Sequence, residues 1–544
     1  MNTSQLQTDK NQKLYHALLG ILLVCALAMM MLLSYWACKY SYYGAVDGRT
    51  RGVLVGDKTW AHIAVFLAAS LCTIGIDKVL MKKDKSQQEK ICLCTLIVTS
   101  VIAFILGVFY VCKNPYYPVG DQINTTAFAA YCRDGNFSML SIGGYVGMYQ
   151  QQKGLAILYE ILFTLFGDFN YRPAKILHVV WWILTILAGY GFLKLNTDRP
   201  VFRMLYCVMM LGCFPLLFYL PYIYGDVLSI SFGIILFYGV AAYEHSGQKR
   251  YIALASFAAG LAVLARKNTW IVLVAVAVYV LLVSLRKKKV RYLMAGTAIL
   301  LTAALSVKAV DVIYEVRSGY PSGVGIPSIL WVAMGLQETE GRAGVYNRYQ
   351  QATFTDYDCQ QELAAQQGKE YIRERLEEFS QDPGMAFNFF KNKVEGQWIE
   401  PMYAALESTE SFEEGAELSP VLESLYYGEL GRTIWKLTNY YQSILYLAGL
   451  MALVMLGILW WKKKEVPISL WLPWIAVFGG FLFSILWEAK SRYVFPYCVF
   501  MILYAPEGLY QTGLLLCKLP KLRKFKKSGH TQDKGEEASL RETA

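Results

Sequence analysis

Four short segments place ionisable residues at the edges of long apolar runs. They are Gly120-Asp121-Gln122, Tyr222-Ile-Tyr-Gly-Asp226, Arg266-Lys267-Asn268 and Trp487-Glu-Ala-Lys-Ser-Arg-Tyr493. A carboxylate such as Asp121 can take the proton of an attacking hydroxyl. Guanidinium groups such as Arg266 and Arg492 can hold phosphate oxygens bidentately and stabilise charge that develops there. Lys153 can add a point charge, and Asp226 can orient a basic residue or hold a divalent metal ion. Ionisable groups at the edge of hydrocarbon are expensive to desolvate, which makes them functional candidates by default. Each also has a structural reading. Asp121 and Asp226 can cap the helices that follow them. Arg266, Lys267 and Lys153 can be interfacial anchors, and Arg492 can pair with Glu488 four residues before it.

The elements that must position these groups are membrane-spanning helices. The chain has 544 residues, 55% of them hydrophobic and 17% charged, where a soluble protein carries about 25% charged residues. Apolar runs long enough for ~30 Å of hydrocarbon recur along the sequence. Twelve stand out: Ala17–Ala37, Trp60–Met81, Ile91–Cys112, Ala174–Leu195, Val201–Leu220, Gly225–Tyr243, Tyr251–Ala265, Thr269–Leu285, Tyr292–Ala309, Tyr441–Trp461, Pro467–Trp487 and Tyr493–Cys517. The first reads as a retained helix, since no small-residue cleavage site follows it. A thirteenth run, Leu155–Phe166, spans only 12 residues. If it crossed, Arg286–Lys289, Lys462–Lys464 and the basic tail from Lys518 would all lie outside. If it lies in the interface, every one of these clusters is inside with Lys82, Lys83 and Lys85, as the positive-inside rule favours. The second arrangement makes both termini cytoplasmic. It brings Asp121, Asp226, Arg266 and Arg492 to one outer face.

Charge is unevenly distributed. Between Asp311 and Lys436 there are 10 Lys/Arg and 21 Asp/Glu, so this stretch is −11 while the whole chain is +11. The basic surplus sits in short loops and tails and gives no reason to invoke nucleic acid. The expected organisation is a transmembrane catalytic module (1–310) with a large first external loop (113–153), then an acidic extracytoplasmic domain (311–438). C-terminal transmembrane helices (439–517) and a polar, disordered tail (518–544) complete it. Within the external domain, Glu370–Phe379 and Phe387–Trp398 read as amphipathic helices broken by Pro383-Gly384. Gln337–Tyr349 reads as a loop able to order on substrate. The twelve cysteines lie mostly in apolar runs and suggest neither a zinc site nor a disulfide framework. Asn124-Thr-Thr126 and Asn136-Phe-Ser138 match a glycosylation sequon, a pattern common by chance.

The ordered set of pieces resembles the GT-C class of membrane glycosyltransferases. Within it, the set is most similar to the bacterial family-39-like enzymes related to protein O-mannosyltransferases and lipid A aminoarabinose transferases. The resemblance spans about Ile91 to Cys517. It rests on Asp121 early in the first external loop, an interfacial helix ending Leu165-Phe-Gly167 before Arg172, Tyr224-Gly-Asp226, and Glu488-x-x-x-Arg492-Tyr493. Trp331-x-x-Met-Gly335 and Phe390–Pro401, with Lys393 and Trp398, look like further recurrent segments. Many protein mannosyltransferases carry Asp-Glu where this chain has Asp121-Gln122, and Gly154 follows Lys153 where the family often has proline. The resemblance implies an all-α GT-C-like bundle and an inverting transfer from a polyprenyl-phosphate-linked sugar to an envelope glycan, lipid or protein at the outer face of a bacterial plasma membrane. Asp121 would be the base, with Lys153, Asp226, Arg266, Glu488, Arg492 and Tyr493 binding substrate. A multi-pass transporter or lipid flippase is the reading from another class; against it stand the lack of internal repeats and of mid-membrane charges. An envelope polymer ligase or polymerase is a third.

Overall fold

The computed structural model describes residues 3–43, 53–464 and 466–518. Among them, nine helices are long and apolar enough to cross a membrane: Asn11–Lys39, Thr59–Leu80, Lys85–Lys113, Arg172–Asn196, Asp226–Ser246, Lys267–Lys287, Val290–Ser318, Glu429–Trp461 and Ile468–Leu486. The protein is therefore an all-α, multi-pass membrane protein in its described part. Two short hairpins, Tyr40–Tyr43 with Val53–Gly56 and Glu338–Thr339 with Arg342–Ala343, are the only sheets among those residues. The basic-to-polar tail is described only as far as Lys518; the remainder of 518–544 lies outside the described residues.

Three of the twelve expected runs differ in form. Val201–Leu220 is two helices, Pro200–Leu211 and Phe214–Phe218, with Pro215 in the first turn of the second, where its missing N–H costs nothing. Tyr251–Ala265 lies in the 17-residue helix Lys249–Ala265. The last run is Ser491–Met501, a turn, and a helix over 505–518. Two helices also extend beyond the expected domain limits. Val290–Ser318 runs past residue 310, and Glu429–Trp461 begins before 439. Hydrophobicity marked the apolar middles of these helices, but their polar ends continue the same hydrogen-bonded ladder.

Asp226–Ser246 is the central helix. It packs on Arg172–Asn196 and Lys249–Ala265, and 83% of its most apolar window is buried, against 28% for Lys85–Lys113. Small residues permit the closest approaches, as expected where packing rather than water exclusion joins helices. A Cβ on Gly508 would stand 1.8 Å from the Ala448 carbonyl oxygen. At one end of the bundle, ion pairs tie neighbouring helices: Arg199–Asp77 at 3.1 Å, Arg203–Glu89 at 2.5 Å and Lys287–Glu244 at 2.9 Å. At the other end the connecting segments enclose a large cavity. The helix Lys153–Phe166 begins and finishes at this second end. Gln152 before it lines the cavity. Tyr171 after it meets Thr126, five residues beyond Asp121, at 3.2 Å. A helix whose two ends lie together at one end of the bundle does not traverse it.

The segment between Ser318 and Glu429 caps the cavity end. Gln361–Gln381 and Pro383–Trp398 contain the two expected amphipathic helices, and Asp382 caps the second by accepting from the Met385 N–H at 2.9 Å. The Gln337–Tyr349 stretch holds the small hairpin Glu338–Thr339/Arg342–Ala343. All twelve cysteines are free thiols.

Gly508→Ala forces a methyl group into the Ala448 backbone. We expect a loss of about 1–3 kcal/mol, the usual cost of overpacking, read as a lower apparent unfolding temperature in detergent. An unchanged temperature would refute this close helix contact.

Candidate functional site

The cavity has a volume of about 1540 Å³ and is lined by Asp121, Arg266, Glu488, Arg492 and Tyr493, five of the seven residues the sequence singles out. Asp226 stands immediately behind them and Lys153 elsewhere. Each is placed by a helix end. Asp121 is the first residue of the helix Asp121–Arg133, and its carboxylate makes no capping bond. It accepts instead from the Tyr145 hydroxyl at 2.8 Å and remains exposed to the cavity. The capping role offered by the sequence is therefore not the one it plays.

Asp226 likewise opens its helix without capping it; the cap position is Gly225. The carboxylate is 2% exposed and bonds the Arg266 guanidinium, while Arg492 Nε stands 3.9 Å away. A negative charge at a helix N-terminus is favoured by the aligned peptide dipoles. The glycine is required by space: a Cβ on Gly225 would lie 2.0 Å from the Ala265 carbonyl oxygen and 2.8 Å from Arg266 Cγ. Tyr-Gly-Asp thus lets the tip of the neighbouring helix pair come close enough for Arg266 to reach Asp226. Both guanidiniums also lie over tyrosine rings. Arg266 is 5.3 Å from the Tyr224 ring and 5.4 Å from Tyr493, and Arg492 is 5.2 Å from Tyr222 and 5.3 Å from Tyr224. Two cations share one carboxylate, so the cluster retains a net positive charge facing the cavity. Arg492 Nε and Asp226 Oδ2 are buried without a hydrogen-bond partner. Arg492 does not pair with Glu488, the alternative raised by their spacing.

Glu488 is buried, and burial, with the nearby Asp121 charge, pushes its carboxyl up to about 7 against the pull of Lys490. The Tyr493 hydroxyl stands 3.4 Å from it. Lys153 is not on the cavity wall. It is 2% exposed, pairs with Asp311 and donates to the Ser322 hydroxyl at 2.8 Å, so it anchors the helix Val290–Ser318 to Lys153–Phe166. Among the described residues no group of three or more His, Cys, Asp or Glu could hold a metal ion. Asp226, the expected candidate ligand, is committed to Arg266 and does not fit that role.

Several cavity residues were not marked as site candidates by the sequence. Lys393 is 1% exposed, and burial drives its ammonium down to about 7. It donates to the Gly335 carbonyl. Nothing in Phe-Lys-Asn-Lys distinguishes Lys393 from Lys391, which lies 3.5 Å from Glu395 as an i,i+4 pair. Glu400 and Glu407 line the same wall, both raised by burial, with each other's charge adding to the effect on Glu400. Tyr145 and Gln152 come from the segment between Lys113 and Lys153; the spacing of Tyr145 and Tyr149, one helical turn apart, was the available signal. No protein-family model, curated protein or solved structure matches the chain.

Glu488 supplies a pH test. Its folded carboxyl titrates above the ordinary value of 4.5, so the native state binds the extra proton between about 4.5 and 7, and stability falls as pH rises through that window. Glu488→Gln removes this dependence. We expect the wild type to lose stability relative to the variant between pH 5 and 7.5, measured by denaturation in detergent; parallel curves would contradict the burial of this carboxyl. Gly225→Ala is expected to displace Arg266 and lower the unfolding temperature, with a cost of about 1–3 kcal/mol.

Proposed function

We propose that this chain is a GT-C-type membrane glycosyltransferase that moves a sugar from a polyprenyl-phosphate donor to a cell-envelope acceptor. The observation that carries the reading is one cavity with an exposed carboxylate, Asp121, on its wall and two arginines sharing a single aspartate on another. In this reading twelve helices span the membrane, the broken and shorter ones included. The cavity faces outward, both termini are cytoplasmic, and Lys153–Phe166 lies at the outer interface. The basic clusters Arg286–Lys289 and Lys462–Lys464 lie at the bundle end opposite the cavity, which the positive-inside rule assigns to the cytoplasmic side; the bacterial plasma membrane is what the family resemblance implies. The named ion pairs of the bundle also occupy its two ends, an arrangement that favours an enzyme site over a mid-membrane transport path.

The geometry is compatible with the following chemistry. An acceptor hydroxyl attacks the anomeric carbon from the side opposite the phosphate. The new C–O bond forms as the bond to the phosphate oxygen breaks, and the configuration inverts. Asp121 receives the hydroxyl proton, its carboxylate oriented by the Tyr145 hydroxyl. The lipid phosphate leaves with the bonding electron pair and gains negative charge. Arg266 and Arg492, both held by Asp226 and both on the cavity wall, meet that charge with preorganised donors. A phosphate leaving group needs no strong acid. Tyr493 lies within electrostatic reach of Asp121, Glu488 and both arginines, at the junction of the two halves of the site.

The test is transfer in membranes supplied with a polyprenyl-phosphate sugar. Asp121→Asn is expected to lower turnover by at least about 10²-fold with donor binding retained, the usual range for loss of a general base. Near-wild-type turnover would sink the assignment. Arg492→Lys keeps the charge and loses the planar fork, so its defect should be smaller than that of Arg492→Ala.

A further inference from the structure

A belt of aromatic rings runs around the outer wall of the cavity from Asp121 to Glu488. The Tyr145 hydroxyl bonds Asp121, and the Tyr145 ring lies 5.1 Å from Tyr149. Tyr149 meets Trp331 edge-on at 6.3 Å, and Trp331 stacks on Trp487 at 5.9 Å with the two planes 4° apart. Phe483 also stacks on Trp487, at 4.9 Å, so Trp487 has two ring partners in the stack. Tyr145, Tyr149, Trp331 and Trp487 all line the cavity and are only partly buried. Beside them is Gln350, 1% exposed, whose Oε1 is buried without a hydrogen-bond partner. A buried amide oxygen left unpaired is destabilising, and a ligand hydroxyl is a donor of the right kind.

Resting on the transferase reading, we infer that Trp331, Tyr149 and Gln350 form an acceptor-side pyranose subsite, and that the acceptor is a glycan rather than a protein or a simple lipid. A pyranose ring has an apolar C–H face that fits an indole, and equatorial hydroxyls that fit an amide carbonyl. The belt leads from Trp331 through Tyr149 and Tyr145 to Asp121, where an acceptor hydroxyl must lose its proton, so a glycan lying along it reaches that carboxylate. Trp331 and Gln350 belong to the segment outside the bundle, whereas Arg266 and Arg492 stand at the ends of bundle helices. A sugar held on Trp331 and Gln350 thus rests on the cap side of the cavity rather than among the helix ends that carry the arginines. A peptide acceptor would make little use of a stacked indole pair together with a lone buried hydrogen-bond acceptor.

The experiment is ligand-observed NMR on the full-length protein in lipid nanodiscs without any donor. The probes are methyl glucoside, methyl galactoside, methyl N-acetylglucosaminide and a hexapeptide of serine and threonine. We expect saturable binding of at least one glycoside with its C–H face receiving most of the magnetisation, and no saturable binding of the peptide. Trp331→Ala and Gln350→Leu should each weaken the glycoside by about tenfold, and Trp331→Phe should recover part of the loss. Gln350→Leu changes little volume, so it carries the test if Trp331→Ala does not fold. Binding of the peptide with no glycoside bound, or glycoside binding that none of the variants alters, overturns the subsite. Because no donor is present, the result stands apart from whether Asp121→Asn abolishes transfer.

Discussion

The site depends on one buried carboxylate shared by two guanidiniums. Asp226 is almost wholly removed from water, and a lone charge so placed would be costly; Arg266 bonds it directly and Arg492 stands beside it. Breaking such a pair by removing one partner typically costs 3–5 kcal/mol in other proteins, about the size of a large core truncation. The arrangement therefore locks three chain segments, the Tyr-Gly-Asp turn, the 265–269 hairpin tip and the 487–493 loop, into one unit. It also solves an electrostatic problem. Arginines poised for an anion must be held in place without being neutralised, and one aspartate for two arginines does this.

Glycines carry the same constraint outward. Gly225 brings the hairpin tip against the turn. Gly335 and Gly344 bring the cap against the 487–493 loop: a Cβ on Gly335 would meet the Leu486 carbonyl oxygen at 2.3 Å, and one on Gly344 would meet Lys393 Cε at 2.7 Å. The Ala489 N–H donates to the Gly344 carbonyl at 2.7 Å, so the small hairpin and the loop carrying Glu488 and Arg492 are tied backbone to backbone.

The positions of the apolar runs were legible from hydrophobicity alone: each of the twelve lies largely in helix, although Val201–Leu220 and Tyr493–Cys517 are broken by turns. Their ends were not. The polar turns of Val290–Ser318 and Glu429–Trp461 carry no apolar signal although they continue the helices. The break before Pro215 was foreshadowed by the proline, but proline in a first turn reads the same as proline in a loop. Charge patterning placed Asp121, Asp226, Arg266 and Arg492 at one face, and the structure gathers these four around one cavity. It could not distinguish Lys153, which is turned to Asp311, from a cavity residue, because a helix start serves either direction. The resemblance marked Lys393 without giving it a role, and Glu400 and Glu407 were hidden for a related reason: burial of a charged side chain is decided by tertiary packing, and an acidic amphipathic segment gives no sign of which member faces inward.

The central claim is that the Asp226-bridged arginine pair is the seat of a lipid phosphate. Its most direct test is the position of that phosphate, determined by cryo-electron microscopy of the full-length protein in nanodiscs with a polyprenyl phosphate added. The account predicts phosphate density within hydrogen-bonding distance of both Arg266 and Arg492, with the prenyl chain leaving between helices and Asp121 facing the opposite side of the cavity. Phosphate density seated away from both arginines, or a cavity that closes over them without it, would contradict the account.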